Sequence, residues 1–357
     1  MKKFGFLLAG LMTAGVLTLA GCGGGGGGGG GEPTVAATTF NMIELAGFDG
    51  SEFSAGIAIN DNGLAVGFSD NGTSIRGAKW MVTDASPAAA TVLPPLDGNS
   101  YSAAYGVNAA GVSVGESGVN TDTNTVAVYW ADSTPVALRL DTSGINVAGP
   151  SAAFSINIDG EIVGEAVNDA GNTVAIYWES NTAAPLILDN LTGGDFSSAY
   201  FIGVDGRIVG EAEGDNSKTK AVVWMPMLLT AGYDDPIVLD PVDNQSSSVA
   251  LGVDKFGRIV GEVELASGVI EGVVWNANGS VAKSLGANTS LQAINDSSRM
   301  VGYSEARSGS DISSIWSVAN ILDKKSLAVA FSQAYGINAG NQVVGVSGTQ
   351  AFAALPQ

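Results

Sequence analysis

The chain contains no histidine and only one cysteine, and these two shortages exclude several kinds of chemistry. Without histidine there is no Ser-His-Asp or Cys-His catalytic pair, no histidine-ligated zinc and no histidine general base. The single cysteine, Cys22, leaves no disulfide within the monomer, so folding does not depend on an oxidising compartment. Carboxylates remain as the groups that could serve catalysis or cation binding.

Basic residues are also scarce, with 15 Lys and Arg against 35 Asp and Glu, for a net charge of −20. Loss of Lys2 and Lys3 with an N-terminal export signal would take the net charge to −22. Such a charge argues against binding of nucleic acid or of an anionic lipid surface, and it favours cations or basic partners. An acidic surface is equally typical of proteins from saline habitats.

Long hydrophobic runs are absent except at the start, where Lys2 and Lys3 precede an apolar segment at residues 4–19. The segment is too short and too rich in glycine for a membrane span, and its layout is typical of an export signal. It ends in Leu-Ala-Gly-Cys22, which resembles the bacterial lipobox. The resemblance implies cleavage before Cys22 and attachment of lipid to it, so residues 1–21 are predicted to be a lipoprotein signal peptide. The alternative is an ordinary signal peptide with an unmodified cysteine.

Nine consecutive glycines follow at residues 23–31. A glycine run has no side chains to bury and loses the most backbone entropy on ordering, so residues 22–35 are predicted to form a flexible, lipidated tether. The glycine after the cysteine resembles lipoproteins sorted to the outer membrane of enteric bacteria. We therefore expect a folded body, residues 36–357, held to the outer membrane through Cys22.

Tryptophan is rare and falls at one position of an internal repeat. The six tryptophans are 41 to 51 residues apart, at Trp80, Trp130, Trp178, Trp224, Trp275 and Trp316. A glycine lies 13 to 15 residues before each, in the series Gly67, Gly115, Gly164, Gly210, Gly261 and Gly302, with a seventh copy at Gly345. Periods of this length indicate a solenoid, a propeller or an array.

Each repeat is predicted to hold four short strands. In the third repeat, β-branched and aromatic runs at 153–156, 161–166, 173–178 and 185–189 alternate with turns rich in Gly, Asn and Asp. Four antiparallel strands in about 46 residues fit a propeller blade. The seventh repeat lacks its fourth strand, and residues 40–45 resemble that strand. The sequence therefore predicts an all-β, seven-bladed propeller of four-stranded antiparallel blades, closed by the N-terminal strand.

Two recurring residue types have predicted structural roles. The turns before the repeat glycines begin with Asn60, Asn108, Asn157, Asn295 and Asn338, and Gly203 or Asp254 takes this place in two repeats. Asn and Gly tolerate the left-handed conformations that such hairpins require. The repeat glycine lies inside a strand, where glycine indicates a bulge or a close approach of another backbone, and we expect it where neighbouring sheets pack most tightly. The tryptophans are expected to fill the space between sheets, with a sugar-binding ring of tryptophans as the alternative.

The repeat resembles the extracellular repeats called HAF repeats. The clearest match runs over residues 336–347, Gly-Ile-Asn-Ala-Gly-Asn-Gln-Val-Val-Gly-Val-Ser, followed by Gln350-Ala351-Phe352. The resemblance covers nearly all of residues 36–357 and implies a bacterial envelope protein without an established activity. The histidine that names the family is absent, and its position holds Arg76, Val126, Val174, Lys220, Glu271, Ile312 and Gln350.

One carboxylate series is a candidate site. Glu116, Glu165, Glu211 and Glu262 directly follow the repeat glycine in four consecutive repeats. Equivalent positions in a propeller form an arc, and four acidic groups on an arc could hold Ca²⁺ through oxygen ligands. The alternatives are ion pairs from Arg207 to Glu211 and from Arg258 to Glu262, or plain solvation.

Two functions remain open from the sequence. The first is a non-enzymatic binding or scaffolding propeller that recognises a protein or a glycan. The second is a carboxylate-dependent enzyme acting on glycans, like a glycosidase. For the second, Asp234 and Asp235 are the candidates that break the repeat, in an insertion at residues 225–236. That apolar insertion is either a partner-contact patch or packs against its own blade.

Overall fold

The computed structural model describes residues 40–83, 88–119, 124–132, 136–147, 149–214, 218–227, 232–240, 247–305, 310–327 and 331–357. These residues form strands, turns and loops, with no helix among them and hence none that could cross a membrane. The signal peptide, Cys22 and the glycine run lie outside the described residues.

Twenty-eight strands form seven antiparallel four-stranded sheets, which we number as blades I to VII. The first strand, β1 (Phe40–Leu45), precedes blade I. Blade I contains β2 (Ser54–Ile59), β3 (Leu64–Asp70), β4 (Ile75–Met81) and β5 (Thr91–Leu93). Blade II contains β6 (Tyr101–Val107), β7 (Ser113–Gly118), β8 (Val126–Trp130) and β9 (Ala137–Arg139). Blade III contains β10 (Ser151–Ile156), β11 (Ile162–Val167), β12 (Thr173–Trp178) and β13 (Leu186–Ile187).

The remaining blades repeat this order. Blade IV contains β14 (Ser197–Ile202), β15 (Ile208–Glu213), β16 (Thr219–Trp224) and β17 (Ile237–Val238). Blade V contains β18 (Ser247–Val253), β19 (Ile259–Glu264), β20 (Ile270–Trp275) and β21 (Val281–Ala287). Blade VI contains β22 (Thr289–Ile294), β23 (Arg299–Glu305), β24 (Asp311–Ser317) and β25 (Lys324–Ser326). Blade VII contains β26 (Ser332–Ile337), β27 (Val343–Ser347), β28 (Gln350–Pro356) and, as its outer strand, β1.

Strand β1 closes the ring as the sequence predicts. It pairs antiparallel with β28 along its whole length, from Phe40 opposite Pro356 to Leu45 opposite Ala351. The first strands of successive blades contact each other in a complete cycle, and β26 of blade VII contacts β2 of blade I. The all-β, seven-bladed propeller with its N-terminal closing strand is therefore confirmed.

The tryptophans lie between blades and are buried, which confirms their predicted packing role and excludes a sugar-binding ring of exposed indoles. Five of the six are fully buried, and Trp316 is nearly so. In five of them the indole nitrogen donates to a carbonyl oxygen just beyond the outer strand of the preceding blade, as Trp130 does to Pro94 at 2.7 Å. Trp80 makes the same bond to Ala46, directly after β1, at 2.8 Å. The side chain of Trp80 therefore also holds the closing strand β1 in place.

The repeat glycine has a different role from the predicted one. Every first strand carries a β-bulge, and the glycine of the second strand faces the residue just before it. A Cβ on Gly164 would lie 2.0 Å from the backbone oxygen of Ala152, in the same blade, and the other six glycines show the same distance. The glycine therefore accommodates the bulge inside its own sheet. The prediction that it marks contact between neighbouring sheets is wrong.

A belt of seven hydroxyl groups joins the blades. In each case the hydroxyl oxygen on a first strand accepts a hydrogen bond of 2.9 to 3.0 Å from a backbone N–H on the third strand of the preceding blade. The seven residues are Ser54, Ser102, Ser151, Ser197, Ser248, Thr289 and Ser332. Each lies six residues before the start of its turn, and this regular spacing is the signal by which the sequence could have identified them.

Candidate functional site

The turns between first and second strands lie together at one end of the ring, which we call the asparagine face. The seven turns are 60–63, 108–111, 157–160, 203–206, 254–257, 295–298 and 338–341. Their fourth residues have the predicted left-handed conformation, with φ between 61° and 87°. The asparagine side chain accepts hydrogen bonds within its own turn through Oδ1, as Asn60 does from Asn62 and Leu64. The turns are therefore fixed by their own first residue.

The same asparagines link neighbouring turns. The amide Nδ2 of Asn60 donates to the backbone oxygen of Asn108 at 2.8 Å, and that of Asn295 donates to Asn338 at 2.7 Å. Equivalent bonds run from Asn108 to Asn157, from Asn157 to Gly203 and from Asn338 to Asn60. The asparagine face is therefore a cross-linked surface rather than a set of independent loops.

Aromatic bulge residues surround the ring axis. The extra residues in the seven first strands are Ile57, Tyr105, Phe154, Tyr200, Leu251, Gln292 and Tyr335. The ring of Phe154 lies 5.8 Å from that of Tyr105 and 5.5 Å from that of Tyr200, so blades II to IV present a continuous aromatic wall. Each bulge residue lies three positions before its turn. That regular spacing is the signal by which the sequence could have identified them.

The four repeat glutamates are buried, each less than 9% exposed, so the prediction of solvated carboxylates is wrong. Glu116 Oε1 accepts hydrogen bonds from Tyr105 at 2.6 Å and from Tyr101 at 2.7 Å. Glu211 accepts one from Tyr200 at 3.0 Å. These phenols donate to carboxylates of their own blades, which ties the first strand to the second.

Glu262 faces the next blade. Its Oε1 accepts hydrogen bonds from Ser290 and from Nε2 of Gln292, the latter at 2.7 Å. The predicted ion pairs with arginine are wrong, because Arg258 pairs with Asp254 and Arg207 pairs with Asp205. Both arginines precede the second strand, so they lie on the turn and not on the strand face that carries the glutamates.

Burial is the main cause of the raised pKa values of three of these glutamates. It raises the pKa of Glu165 to about 7, and the nearby charges of Glu211 and Glu116 act in the same direction. Burial also raises the pKa of Glu116, although hydrogen bonds from Tyr105 and Tyr101 favour its charged form. Burial raises the pKa of Glu262 as well, while hydrogen bonds from Ser290 and Gln292 favour its charged form. The pKa of Glu165 therefore lies close to neutral pH.

The four glutamates do not converge on one point. In the part of the chain that the structure describes, no group of three or more carboxylate or thiol side chains is arranged to hold a metal ion. One feature favours a cation beside a single glutamate, because Glu116 Oε2 is buried without a hydrogen bond from the described residues. Ca²⁺ at the glutamate arc remains a prediction.

Within the described part of the insertion at residues 225–236, Tyr233 packs on the propeller itself. Tyr233 is buried, and its hydroxyl donates to the backbone oxygen of Gly206 at 3.0 Å. Its ring lies edge-on against Tyr177 of blade III at 5.0 Å. Asp234 and Asp235 are exposed. Residues 228–231, which carry part of the predicted contact patch, lie outside the described residues.

A groove of about 580 Å³ opens on the asparagine face between blades V and VI. Its lining residues are Phe256, Arg258, Asn276, Ala277, Asn278 and Ser298. Arg258 donates to Asp254 through Nε at 2.7 Å and through Nη2, and Nη2 also donates to Ser298 of blade VI at 2.7 Å. The sequence analysis did not identify this groove, because its residues come from two turns and a loop that are distant in the chain.

The fold has distant structural relatives. A streptogramin B lyase aligns with a TM-score of 0.50 and 11% identity, over 89% of this chain and 98% of the lyase. A puromycin hydrolase S511A mutant aligns with a TM-score of 0.53 and 13% identity, over 83% of this chain and 50% of the hydrolase. Oligopeptidase B from Leishmania major aligns with a TM-score of 0.50 and 10% identity, over 86% and 49%. This chain thus spans about half the length of the last two.

At these identities the likeness shows the propeller fold alone. No protein-family model matches the sequence, and no curated protein matches it.

Proposed function

We propose that the chain is a lipid-anchored propeller of the bacterial envelope that acts as a non-enzymatic binding module for a protein or a glycan. The observation that supports this function is an apolar arc at the asparagine face. We define the apolar arc as the exposed turn residues Ala109, Ala110, Ile158, Val204 and Phe256 of blades II to V.

The large exposed apolar side chains of these turns, Ile158, Val204 and Phe256, are confined to blades III to V, where the exposed charged residues Asp159, Asp205 and Lys255 alternate with them. Ile158 is 64% exposed, Phe256 is 57% exposed and Val204 is 55% exposed. The corresponding exposed or partly exposed residues of blades VI, VII and I are Asp296, Ser297, Ala339, Gly340, Asp61 and Asn62. Neighbouring apolar side chains on rigid turns cost little entropy when a partner covers them, which is the property expected of a preformed recognition surface.

The membrane attachment is part of the proposal. Lipid on Cys22 and the glycine run at residues 23–31 would hold the ring near the outer membrane while leaving it free to turn. The HAF-repeat resemblance supports an envelope location, and the net negative charge disfavours nucleic acid as a partner. Growth with labelled palmitate tests the anchor. We expect label on the wild-type chain and none on Cys22→Ser, and an unlabelled wild-type chain would contradict lipidation.

The binding role is tested with the full-length protein in detergent. The protein is passed over immobilised polysaccharides and used to capture partners from envelope extracts, with Ile158→Asp/Val204→Asp as the variant. Ala339→Asp is the control for an added aspartate, because it places one negative charge at the same turn position in the polar sector. We expect the double variant to lose the retained ligand and the control to keep it.

Two results would count against this role. Equal retention by the wild-type protein and the double variant would remove the apolar arc from the binding surface. Release of soluble sugar from a polysaccharide by the wild-type protein would favour the alternative, a carboxylate-dependent enzyme acting on glycans.

Cation binding at the glutamate arc is tested separately. Ca²⁺ is titrated into chelator-treated protein in a calorimeter, with Glu116→Gln as the variant, because Glu116 has the free buried oxygen. If Ca²⁺ binds there, the wild-type protein releases or absorbs heat and melts at a higher temperature, and the variant does neither. No heat and no change in melting temperature for the wild-type protein would end the proposal.

A further inference from the structure

The groove between blades V and VI differs from the corresponding regions between blades III and IV and between blades IV and V. Between blades III and IV, Tyr233 fills the region beside Gly206. Between blades IV and V, the guanidinium of Arg207 packs against Gly257. The corresponding region between blades V and VI is the open groove. The space beside Gly160, between blades II and III, is also open, so the groove is distinguished by the residues that line it and not by being open.

Three substitutions within the repeat create this groove. Asp254 takes the place that asparagine holds in five turns. Ser298 takes the place of glycine in five turns and keeps the left-handed conformation, with φ of 64°. Phe256 is the only aromatic residue at the third position of any of the seven turns. A left-handed serine costs backbone energy that glycine avoids, so its hydroxyl at this point needs a compensating contact, and Arg258 supplies one.

The polar wall of the groove is held in place before any ligand arrives. Arg258 is fixed by Asp254, whose side chain is fully buried, and by Ser298. Asn278 is exposed at the opposite wall, and its Oδ1 accepts hydrogen bonds from N and Oγ of Ser280. The amide N–H groups of Asn278 and the outer N–H groups of the guanidinium are thus oriented donors.

The apolar wall is the ring of Phe256. The guanidinium carbon of Arg258 lies 5.0 Å from the ring centroid and the ammonium of Lys255 lies 5.2 Å from it. These cations restrict the ring, which still exposes more than half of its surface. The exposed part of the ring can attract the partially positive C–H groups of a sugar ring, and neighbouring planar donors match its hydroxyl groups.

We infer that this groove binds one pyranose ring of a polysaccharide, with the sugar stacked on Phe256 and its hydroxyl groups bonded to Arg258, Ser298 and Asn278. This inference rests on the proposed binding function and specifies its ligand class. A flat, open groove with one aromatic residue fits a single ring held weakly, and the apolar arc beside it gives a longer chain further contact. Affinity for an isolated monosaccharide is therefore expected to be much lower than for a polymer.

The test measures affinity of the full-length protein in detergent for dextran, xylan and polygalacturonate by affinity electrophoresis. Phe256→Ala removes the stacking surface. Ser298→Gly restores the residue that five other turns use, so it removes the hydroxyl without backbone strain. Phe331→Ala is the matched control, because Phe331 is 67% exposed and precedes a first strand at the opposite end of the ring.

We expect the wild-type protein to be retarded by at least one of the three polymers. Phe256→Ala should weaken that binding about tenfold, the loss of one stacked ring. Ser298→Gly should weaken it several-fold with an unchanged or higher melting temperature, and Phe331→Ala should bind like the wild-type protein.

Equal retardation of the wild-type protein and Phe256→Ala would overturn the groove as the sugar site. If Phe256→Ala bound like the wild-type protein but Ile158→Asp/Val204→Asp lost binding, the proposed binding function would stand and the groove would have no part in it. A wild-type protein that none of the polymers retards would also overturn the inference, whereas capture of an envelope protein would still support the binding function.

Discussion

Asn338 and Asn60 are 278 residues apart in the chain, yet Nδ2 of Asn338 donates a hydrogen bond of 2.9 Å to the backbone oxygen of Asn60. The bond joins blade VII to blade I on the asparagine face, where the chain closes on itself. Asn338 also donates to Gln342 Oε1 at 2.7 Å and accepts from the backbone N–H of Gln342 at 2.9 Å. One buried side chain therefore fixes both its own turn and the junction of the ring.

Replacement of Asn338 by aspartate should destabilise the protein by about 1–3 kcal/mol, because it removes the donor and places a charge beside two oxygen atoms. Blade V shows a compensation, since Asp254 is paired there with Arg258 four residues later. The double variant Asn338→Asp/Gln342→Arg should recover part of the loss. The recovery should be incomplete, because the next turn has Gly63 in place of the serine that Arg258 contacts.

Denaturant unfolding of the two single variants and the double variant measures this coupling. If the double variant loses as much free energy of unfolding as the two single variants together, the Asp-Arg pair of blade V does not form an equivalent stabilising pair in blade VII.

The closing strand should be essential to the stability of the whole ring. Leu45 and Ile43 are buried in a cluster with Trp80 of blade I and with β28 of blade VII. Leu45→Ala should cost about 2–5 kcal/mol by leaving a cavity between two blades. Met42→Ala on the same strand is the control, because Met42 is exposed and should change stability by less than about 0.5 kcal/mol.

Deletion of residues 36–46 extends the same argument, and we expect it to unfold the ring. The outer strand of blade VII and the acceptor of the Trp80 indole are both lost. A truncated protein that melts at the temperature of the full-length chain would contradict closure by β1.

The bulge glycines should not tolerate a methyl group. In Gly164→Ala the new Cβ would lie 2.0 Å from the backbone oxygen of Ala152, a rigid group in the same sheet. We expect a loss of about 1–3 kcal/mol or more, because backbone must shift to relieve the contact. Gly214→Ala is the matched control, since the nearest atom to its Cβ would be Leu191 Cδ1 at 4.0 Å. Similar unfolding midpoints for the two variants would contradict this role of the bulge.

The number of blades, the closing strand and the buried tryptophans were predictable because each depends on a regular period or on a rare residue type. The glycine role was predictable only in part, because a glycine inside a strand indicates either a bulge or a close approach of another backbone, and the strand register that decides between them is not visible in the sequence. The burial of Glu165 was not predictable, since the sequence does not show which face of a second strand meets the next blade. The groove at Phe256 depends on contacts between residues 40 positions apart in the chain, such as Arg258 and Ser298.

The buried glutamates should make the protein less stable as the pH rises. Glu165 has a pKa of about 7 in the folded state, above the ordinary value of 4.5. The folded state keeps a proton that the unfolded chain releases above pH 4.5, so the contribution to stability is complete below that pH. It declines as the pH rises and levels off above about pH 7. Glu165 alone accounts for about 3 kcal/mol of this loss, and Glu116 and Glu262 act in the same direction.

Glu165→Gln should abolish the part of the pH-dependent loss of stability that Glu165 causes, because glutamine resembles the protonated carboxyl but cannot ionise. The variant and the wild-type protein should have similar free energies of unfolding at pH 4, whereas at pH 8 the variant should be more stable. Glu264→Gln is the matched control, because Glu264 lies exposed at the end of β19 and should show no gain that depends on pH. Parallel stability curves for Glu165→Gln and the wild-type protein between pH 4 and pH 8 would show that Glu165 is charged in the folded state throughout, with its neighbours reorganised to solvate it.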